Sequence, residues 1–306
     1  MKSFAKNVSK AILERLGYVL MRSSHHAALQ QQIKALQRQI VLSAGGGEDR
    51  VPYEEKSTDG VDYQILMAQQ SVMAALADME PEFQELFDFV RPQTMTSVER
   101  LYDLYKSVEF IVKGGVPGDL IECGVWRGGS MMMVAKSLLQ MGDTSRRLYL
   151  FDTYEGHPKP DKTKDHDLWG NSAYDEWQEH QHSSAGSDWA RVSIEEVRQN
   201  MESTGYPMSN VVLVKGKVED TAVMNAPESI ALVRLDTDWY ESTRIGLQTF
   251  WPHLSERGIL IADDYGHYKG QRQAIDEYFA GSPVLMHRVD YSCRSIMKLP
   301  AFRNNG

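Results

Sequence analysis

The sequence contains little cysteine and no long apolar run. Two cysteines, Cys123 and Cys293, cannot provide a framework of disulfides for 306 residues, so we expect a protein of the reducing cytoplasm. No apolar stretch approaches the roughly 18 residues that cross a membrane. The basic start lacks the apolar segment and small-residue cleavage site of a secretory signal, so none is predicted. The length suffices for one large α/β domain with an appendage.

Positive charge is scarce beyond the first residues. The net charge is −9. Residues 1–42 hold seven Lys and Arg and one acid, Glu14, and therefore carry +6, which leaves −15 for the remainder. Binding to nucleic acid phosphates needs clustered Lys and Arg. The acidic main part of the chain therefore predicts no nucleic-acid partner.

The change in charge and a glycine-rich segment indicate two parts. We predict a basic helical extension and linker over residues 1–50 and a main domain over residues 51–306, which begins with helices in 61–113. Residues 5–21 have the pattern of an amphipathic helix. The extension is either a solvated or packed helix, or a segment that binds a partner or a membrane surface.

A short heptad pattern follows the amphipathic segment. Leu29, Ile33, Leu36 and Ile40 recur at spacings of four, three and four. The pattern is shorter than two heptads, so it supports a coiled coil only weakly. A homo-oligomer is therefore one possible assembly.

Strand-like and helix-like segments alternate after residue 115. The predicted strands are 119–124, 147–152, 211–215, 230–236 and 258–264, and the predicted helices include 129–141, 240–254 and 270–280. Two further strand-like runs, 284–290 and 292–299, end the domain. This alternation predicts a doubly wound α/β fold with a mostly parallel sheet. Ligands of such a fold lie at the carboxyl ends of the strands, near the point where the strand order reverses.

A glycine-rich turn connects the first strand to the following helix. Gly124, Gly128 and Gly129 let the backbone fold tightly and approach a ligand, and the helix amides beyond them favour an anionic group. The spacing Gly-x-x-x-Gly-Gly differs from the Gly-x-Gly-x-x-Gly of dinucleotide sites. Glu122 could reach the amino group of a cationic cofactor, and Asp152 could accept hydrogen bonds from a ribose. The alternative explanation of the glycines is that a tight strand-to-helix turn needs them for steric reasons. The alternative explanation of Glu122 and Asp152 is that each caps a loop.

Carboxylates follow two consecutive apolar strands. Asp236 ends one of these strands, and Asp263 and Asp264 end the next. Neighbouring parallel strands would bring the three together, where they repel one another unless a cation is bound. Oxygen ligands suit Mg²⁺ or Mn²⁺. Asp238 lies two residues beyond its strand and is a less certain member, and helix capping is the alternative role of all these acids.

Five motifs occur in order and together resemble the macrocin O-methyltransferase family. They are Thr94-Met-Thr-Ser-Val-Glu-Arg-Leu, Gly118-Asp-Leu-Ile-Glu-Cys-Gly-Val-Trp-Arg-Gly-Gly-Ser-Met, Phe151-Asp-Thr-Tyr-Glu-Gly, Leu235-Asp-Thr-Asp-Trp-Tyr-Glu-Ser-Thr and Ala262-Asp-Asp-Tyr-Gly. The resemblance covers roughly residues 85–300 and does not reach residues 1–60. It implies a class I methyltransferase fold, which is Rossmann-like, and methylation of a hydroxyl on a sugar or sugar-containing small molecule.

The resemblance also implies ligands and roles for particular residues. The cofactor would be S-adenosylmethionine and the metal Mg²⁺ or Mn²⁺. The implied cofactor-binding residues are Thr94, Glu122, Gly124, Gly128, Gly129, Ser130 and Asp152, and the implied metal ligands are Asp236, Asp263 and Asp264.

A catalytic histidine is implied between the second and third strands. The stretch 154–192 within this segment is polar and is predicted to be a loop. It contains four histidines, His157, His166, His180 and His182. We favour His180 or His182 as the general base because they are nearest the return to the sheet, and Asp236 competes with them for this role. The same segment contains Trp169, Trp177 and Trp189, which either stack on substrate as part of a lid or pack the loop onto the domain.

Two other functions are compatible with parts of the sequence. A nicotinamide-dependent oxidoreductase would use the glycine turn but gives no reason for the aspartate cluster. A non-catalytic scaffold would bind a partner through the N-terminal helices and would tolerate loss of the acids.

Overall fold

A computed structural model describes residues 76–181, 187–282 and 284–300. The chain divides into two compact units, Met1–Asp78 and Met79–Gly306. The predicted extension over residues 1–50, its boundary, the heptad pattern and the predicted helices before residue 76 lie outside the described residues.

The second unit alternates helices and strands. Its helices are α1 (Pro81–Val90), α2 (Val98–Lys113), α3 (Gly129–Gln140), α4 (Ala173–His180), α5 (Ile194–Ser203), α6 (Val218–Asn225), α7 (Tyr240–His253) and α8 (Lys269–Phe279). Its strands are β1 (Asp119–Cys123), β2 (Leu148–Asp152), β3 (Val211–Lys215), β4 (Ile230–Leu235), β5 (Leu254–Ala262), β6 (Met286–Arg288) and β7 (Arg294–Met297). Short 3₁₀ turns occupy Arg91–Gln93 and Met208–Asn210.

The described strands form one sheet in the order β3-β2-β1-β4-β5-β7-β6. The five strands from β3 to β5 run parallel, and β7 pairs antiparallel with both β5 and β6. The order reverses between β1 and β4, which is where a doubly wound sheet opens a crevice for ligands. The predicted doubly wound, mostly parallel fold is confirmed.

The register aligns the carboxyl ends of the central strands. Cys123 of β1 is level with Leu235 of β4, and Leu235 is level with Ala262 of β5. The residues that follow these three therefore emerge at one edge of the sheet. The strands are held in this register by a core in which Leu235 and Ala262 are fully buried, together with Ile121, Phe151 and Val233.

Three segments differ from the sequence prediction. The predicted helical region before Gly114 is interrupted, because Pro92 lies in a 3₁₀ turn between α1 and α2. The loop-like segment 154–192 contains helix α4, which begins where the Ser172 side chain accepts a hydrogen bond from the Asp175 amide. Helix α6 also had no sequence prediction. It has almost no amphipathic pattern from which a helix could be recognised.

Among the residues that the structure describes, no helix is both long and apolar enough to cross a membrane.

Candidate active site

The glycine turn begins at Gly124, where the ends of β1 and β4 meet. Gly124 and Gly128 adopt the left-handed conformation, with φ of 83° and 85°, which residues with a Cβ atom rarely adopt. A Cβ atom on Gly124 would overlap the Asp236 carbonyl oxygen. Gly124 is therefore needed both for its backbone conformation and for the close approach of the two strand ends.

Asp152 holds this turn in place. Its Oδ2 accepts hydrogen bonds from the amides of Val125 at 2.7 Å and Trp126 at 3.2 Å, and its Oδ1 accepts one from Tyr154 at 2.7 Å. The carboxylate is partly buried. Its capping role is thus visible in the geometry. Oδ2 accepts from two amides, whereas Oδ1 accepts from one and keeps a lone pair with which to accept a ribose hydroxyl.

The segment around Thr94 packs against the start of α3. A Cβ atom on Gly129 would come within 2.5 Å of the Gln93 carbonyl oxygen and 2.6 Å of the Thr94 Cβ. The Thr94 hydroxyl accepts a hydrogen bond from the Thr96 amide at 3.0 Å, and the Thr96 and Ser130 hydroxyls are 3.4 Å apart. The structure therefore brings the predicted cofactor-binding residues of two distant motifs together at the glycine turn.

Glu122 is buried and forms an ion pair with Arg234. Burial raises the pKa of Glu122 to about 8, although Arg234 and its hydrogen bond act in the opposite direction. The Oε1 atom accepts from Arg234, whereas the buried Oε2 atom has no hydrogen-bond partner in the described part of the chain. A buried acceptor without a donor is costly, so this oxygen suits a cationic or hydrogen-bonding ligand.

Arg234 also reaches the aspartates. Its guanidinium donates to Asp236 Oδ2 at 2.7 Å, to Asp263 Oδ1 at 2.6 Å and to the Thr96 hydroxyl at 3.1 Å. Because Arg234 is almost fully buried, it balances the acids in a region that water does not screen. It links the glycine turn to the carboxylate cluster.

Asp263 is held by two arginines. Its Oδ1 accepts from Arg234 and its Oδ2 from Arg100, which also pairs with Asp290 at 2.7 Å. Burial acts to raise the pKa of Asp263, but the two guanidinium groups keep it below its usual value. The structure therefore places Asp263 in an ion-pair network, with both carboxylate oxygens engaged, rather than in an open set of metal ligands.

Three other carboxylates converge beside this network. Asp236, Asp238 and Asp264 each offer an oxygen, and the three oxygens lie within 4.8 Å of one another. Burial and mutual repulsion raise the pKa of all three, to about 6 for Asp236 and well above the usual value for Asp264. Asp264 Oδ2 is buried and has no hydrogen-bond partner among the described residues. From the sequence we expected Asp263 to form a metal-ligand group with Asp236 and Asp264. In the structure, Asp238 rather than Asp263 lies with these two residues.

The histidine beside this cluster is His157. Its Nε2 lies 3.4 Å from Asp238 Oδ2, and its ring packs against Trp189 and Trp239 with centroid distances of 4.7 and 5.3 Å. The imidazole is largely enclosed, and burial lowers its pKa to about 4 despite the nearby acids. His157 is therefore neutral near pH 7.

The favoured histidines are placed differently. His180 ends α4, where its Nδ1 lies 2.9 Å from the Glu176 carbonyl oxygen and its ring lies 6.2 Å from Trp189. Both histidine rings pack against Trp189, but the 3.4 Å contact with Asp238 belongs to His157, so the geometry favours His157 over His180 as the residue at the cluster. His182 lies outside the described residues.

The segment between β2 and β3 folds over the carboxyl edge and is fastened there. Asp165 is buried, and its carboxylate accepts from the amides of Tyr240 at 2.8 Å and Asp161 at 2.7 Å. Burial raises the pKa of Asp165 to about 6. Tyr240 begins α7, directly after the Asp236–Asp238 segment, so Asp165 ties the overlying segment to the site.

The three tryptophans of this segment have different environments. Trp177 is fully buried and donates to the His157 carbonyl oxygen at 2.9 Å. Trp189 is half-buried against His157, whereas Trp169 is 60% exposed. Trp177 therefore packs the segment onto the domain, and Trp169 is the one of the three with a largely free surface.

Sequence reasoning missed the two arginines of the site. Arg234 is a charged residue in the otherwise apolar strand Ile230–Leu235, and a buried parallel strand is normally a continuous apolar run. That exception is a signal that could have identified it. Arg100 lies on α2 in the first of the resembling motifs, but nothing in its local pattern indicates a partner 163 residues away.

Comparisons with known proteins agree with this geometry. The sequence profile of the family described as macrocin-O-methyltransferase matches residues 31–295. The resemblance therefore begins within residues 1–60, which the motifs alone had been expected not to reach. The chain is similar to 8-demethyl-8-(2,3-dimethoxy-alpha-L-rhamnosyl)-tetracenomycin-C 4'-O-methyltransferase of Streptomyces olivaceus, with 36% identity over 60% of this chain and 67% of the relative. It is also similar to mycinamicin III 3''-O-methyltransferase of Micromonospora griseorubida, with 33% identity over 60% of this chain and 69% of the relative.

Solved structures share the fold. The O-methyltransferase NovP superposes with a TM-score of 0.59 and 26% identity, over 79% of this chain and 100% of that protein. The calicheamicin methyltransferase CalS11 superposes with a TM-score of 0.54, over 83% of this chain and 99% of that protein, at 17% identity. A nicotinamide-dependent oxidoreductase and a non-catalytic scaffold do not fit these matches. The chain belongs to the macrocin O-methyltransferase family and is an S-adenosylmethionine-dependent O-methyltransferase.

Proposed function

We propose that the enzyme methylates a hydroxyl of a sugar or sugar-containing small molecule, with the help of a divalent cation. The observation that carries this proposal is the convergence of Asp236, Asp238 and Asp264 at the edge of the sheet that also bears the glycine turn. A methyl donor at the turn and a hydroxyl at the carboxylates would then be neighbours.

The carboxylate group has the chemistry of a site for Mg²⁺ or Mn²⁺. Both cations prefer oxygen ligands and leave coordination positions for a substrate. Close carboxylates with raised pKa values are stabilised by a cation, and the buried Oδ2 of Asp264 lacks a partner among the described residues. Asp263 remains a predicted ligand. To bind the cation, one of its carboxylate oxygens would have to give up its hydrogen bond to Arg234 or Arg100.

The turn has groups that fit the cofactor. Asp152 can accept from a ribose, the amides that follow Gly128 can approach an anionic group, and the unpartnered Glu122 Oε2 suits the cofactor's ammonium. Thr94 and Ser130 lie against the same turn. We therefore assign these residues, with Gly124 and Gly129, to the cofactor site.

The reaction moves one methyl group and one proton. The acceptor oxygen forms a bond to the methyl carbon while the bond from that carbon to the sulfonium sulfur breaks, which leaves a neutral thioether. A cation held by Asp236, Asp238 and Asp264 would lower the pKa of a coordinated hydroxyl. Asp236 accepts the hydroxyl proton, because it belongs to the carboxylate group that would hold the cation and the hydroxyl, whereas burial lowers the pKa of His157 to about 4 and makes that imidazole a weak base. His157 and Trp239 enclose the site and reduce access of water.

The names of the relatives support a glycoside acceptor. The Streptomyces olivaceus enzyme is named for a rhamnosyl derivative of tetracenomycin C, and a Streptomyces niveus relative, 32% identical over 61% of this chain and 68% of the relative, is named for demethyldecarbamoylnovobiocin. A sugar offers adjacent hydroxyls that can bind one cation together. We therefore expect a sugar hydroxyl, carried on a larger natural product, to be the acceptor.

Cation binding is tested first by calorimetry with Mn²⁺. Asp238→Asn and Asp264→Asn should weaken binding at least tenfold, because each removes one anionic ligand. Asp220→Asn, which changes an exposed acid in the first turn of α6, serves as the matched control and should bind as the parent does. Parent-like binding by both site variants would disprove the assigned ligand set. A large loss in Asp263→Asn, without loss of stability, would restore Asp263 to it.

Methyl transfer is tested separately with isotopically labelled S-adenosylmethionine and a set of glycosides, read by mass spectrometry. We expect labelled product with Mg²⁺ present and none after chelation by EDTA, with recovery when Mg²⁺ is added back. Full transfer in excess EDTA would rule out the cation-assisted mechanism.

A further inference from the structure

We propose that Trp169 and Tyr291, which both pack on His267, form a subsite for the apolar aglycone of a glycoside acceptor. This inference rests on the proposed function and extends it from the reacting sugar to the rest of the acceptor. The two rings are exposed by 60% and 53%, which is unusual for aromatic side chains that already have a packing partner.

His267 places the two rings beside the carboxylates. Its backbone amide donates to the Asp264 carbonyl oxygen at 2.9 Å. Its ring centroid lies 5.7 Å from that of Trp169 and 6.0 Å from that of Tyr291, with interplanar angles of 85° and 80°. Both contacts are edge-to-face, a favourable arrangement for aromatic pairs. The two exposed rings therefore pack on a residue whose backbone is hydrogen-bonded to Asp264, a member of the carboxylate cluster.

Trp169 stands on a closed turn. Asp167 Oδ1 accepts from the amides of Trp169 at 2.9 Å and Asn171 at 2.8 Å. Two backbone contacts join the turn to the start of α8. The Lys269 amide donates to the His166 carbonyl oxygen at 2.9 Å, and Asp167 forms an isolated antiparallel β-bridge with Tyr268. An exposed ring on a fixed backbone loses little further freedom when a ligand packs on it.

Tyr291 is fixed from the other side. The Gly266 amide donates to the Ser292 carbonyl oxygen at 2.8 Å, and a Cβ atom on Gly266 would overlap the Tyr291 carbonyl oxygen. The Arg100 guanidinium lies 5.7 Å from the Tyr291 ring centroid, and the tyrosine hydroxyl lies 3.4 Å from His267 Nδ1. The strand-end segment and the turn after Asp290 thus hold the ring next to the site.

The ring pair and the carboxylates suit opposite ends of one molecule. The carboxylates with a cation bind hydroxyls and cannot recognise an apolar group. Exposed aromatic rings bury apolar and planar groups favourably. A glycoside has both parts joined by one bond, so the arrangement selects a sugar whose glycosidic oxygen carries an apolar or aromatic aglycone.

The test compares two probes that differ only in the aglycone. Methyl α-L-rhamnopyranoside and 4-nitrophenyl α-L-rhamnopyranoside are titrated into the full-length enzyme with Mg²⁺ and S-adenosylhomocysteine, and binding is followed by ligand-observed NMR. Rhamnose is chosen because a relative is named for a rhamnosyl substrate. The parent should bind the nitrophenyl glycoside roughly tenfold more tightly, which is the scale of one aromatic contact.

The variants assign that preference to the rings. Trp169→Ala should remove most of the preference, Trp169→Phe should retain much of it, and binding of the methyl glycoside should change less than twofold in both. Leu168→Ala, which alters the adjacent residue with 39% exposure, should keep the parental preference. No preference in the parent, no detectable binding of the nitrophenyl probe, or an unchanged preference in Trp169→Ala would each overturn the subsite.

Failure of the subsite and failure of the proposed function are distinguishable. Mn²⁺ affinity and methyl transfer are measured on the same preparations. Normal cation binding and transfer without any aglycone preference would overturn the subsite alone. Methyl transfer that does not require a cation would overturn the proposed function, whatever binding the two probes show.

Discussion

Glu122 and Arg234 are register neighbours on the parallel strands β1 and β4, and their side chains form a buried ion pair. The same guanidinium continues to Asp236 and Asp263. One guanidinium therefore links the acid at the end of β1 to two acids at the ends of β4 and β5, at the point where the strand order reverses.

Replacing Arg234 should destabilise the fold strongly. Arg234→Met leaves three acids without their common partner in a buried region, and breaking a buried ion pair from one side costs about 3–5 kcal/mol. The free energy of unfolding, measured by urea denaturation, should fall by that amount.

The matched control is Arg244→Met, because Arg244 pairs with Glu241 on the exposed surface of α7. Surface pairs contribute about 0–1 kcal/mol, so this variant should stay close to the parent. Similar losses in the two variants would contradict the central role of Arg234.

A second prediction separates backbone strain from a steric clash. Gly124 and Gly142 both have a left-handed backbone, with φ of 83° and 74°. A Cβ atom on Gly142 would meet nothing within 4 Å, whereas one on Gly124 would overlap the Asp236 carbonyl oxygen. Gly142→Ala should cost about 1 kcal/mol, the scale of forcing a non-glycine residue into this region.

Gly124→Ala should cost several times more and should also weaken S-adenosylmethionine binding, since relief of the clash must separate the ends of β1 and β4. Both quantities are measured by denaturation and calorimetry. Equal effects of the two substitutions would show that the strand ends move apart freely.

Much of the fold could be predicted from sequence because the central strands are short apolar runs that end in glycine or aspartate. The segment Val211–Lys215 was predicted with its observed bounds, and α7 was predicted to within one residue. Helix α4 was missed because its polar sequence resembles a loop, and its stability depends on the Ser172 cap and on the burial of Trp177. That burial is a tertiary contact, which local pattern does not encode.

The candidate site was predictable only in part. The predicted ends of two strands correctly located Asp236 and Asp264 at one edge of the sheet, because neighbouring parallel strands end together. The sequence could not show which of two adjacent aspartates faces the arginines. That depends on Arg100, which comes from a helix 163 residues away in sequence from its Asp263 partner. Nor could it choose among four histidines, since their distances from Asp238 are set by how the segment 154–192 folds.

The pH dependence of stability should reveal Asp165. Its pKa is raised to about 6 by burial, compared with about 3.9 in an unfolded chain. A raised carboxyl pKa contributes stability that is present below pH 3.9 and is lost as the pH rises through 6, because the folded state must then ionise a buried group. This group should contribute a decline of up to about 3 kcal/mol over that window.

Asp165→Asn removes the titrating group, so the difference in unfolding free energy between parent and variant should change with pH from 4 to 7. The asparagine also loses an acceptor for the Tyr240 or Asp161 amide, so the slope of the difference, rather than its absolute value, is the quantity to compare. A difference that stays constant across this range would show that the carboxyl titrates normally.

The last prediction concerns the proton acceptor. A general base is most effective when its pKa lies near the working pH. Burial lowers the pKa of His157 to about 4, which makes its imidazole a weak base, whereas Asp236 lies in the carboxylate group that would hold the cation and the hydroxyl. His157 contacts Asp238 and two tryptophans, so we expect it to position that carboxylate and to enclose the site. Single-turnover rates of methyl transfer should therefore fall about tenfold in His157→Ala and at least 10²-fold in Asp236→Asn.

His180→Ala and His182→Ala are the comparison variants. We expect rates within twofold of the parent for His180→Ala, because its Nδ1 is engaged with the Glu176 carbonyl oxygen and its ring packs against Trp189. Cation affinity is measured in parallel, so that a loss of binding in Asp236→Asn is separated from a loss of proton transfer at saturating Mg²⁺. A 10²-fold loss in either His180→Ala or His182→Ala would return the general base to the later histidines. A parental rate in Asp236→Asn at saturating Mg²⁺ would remove Asp236 from the proton-transfer step.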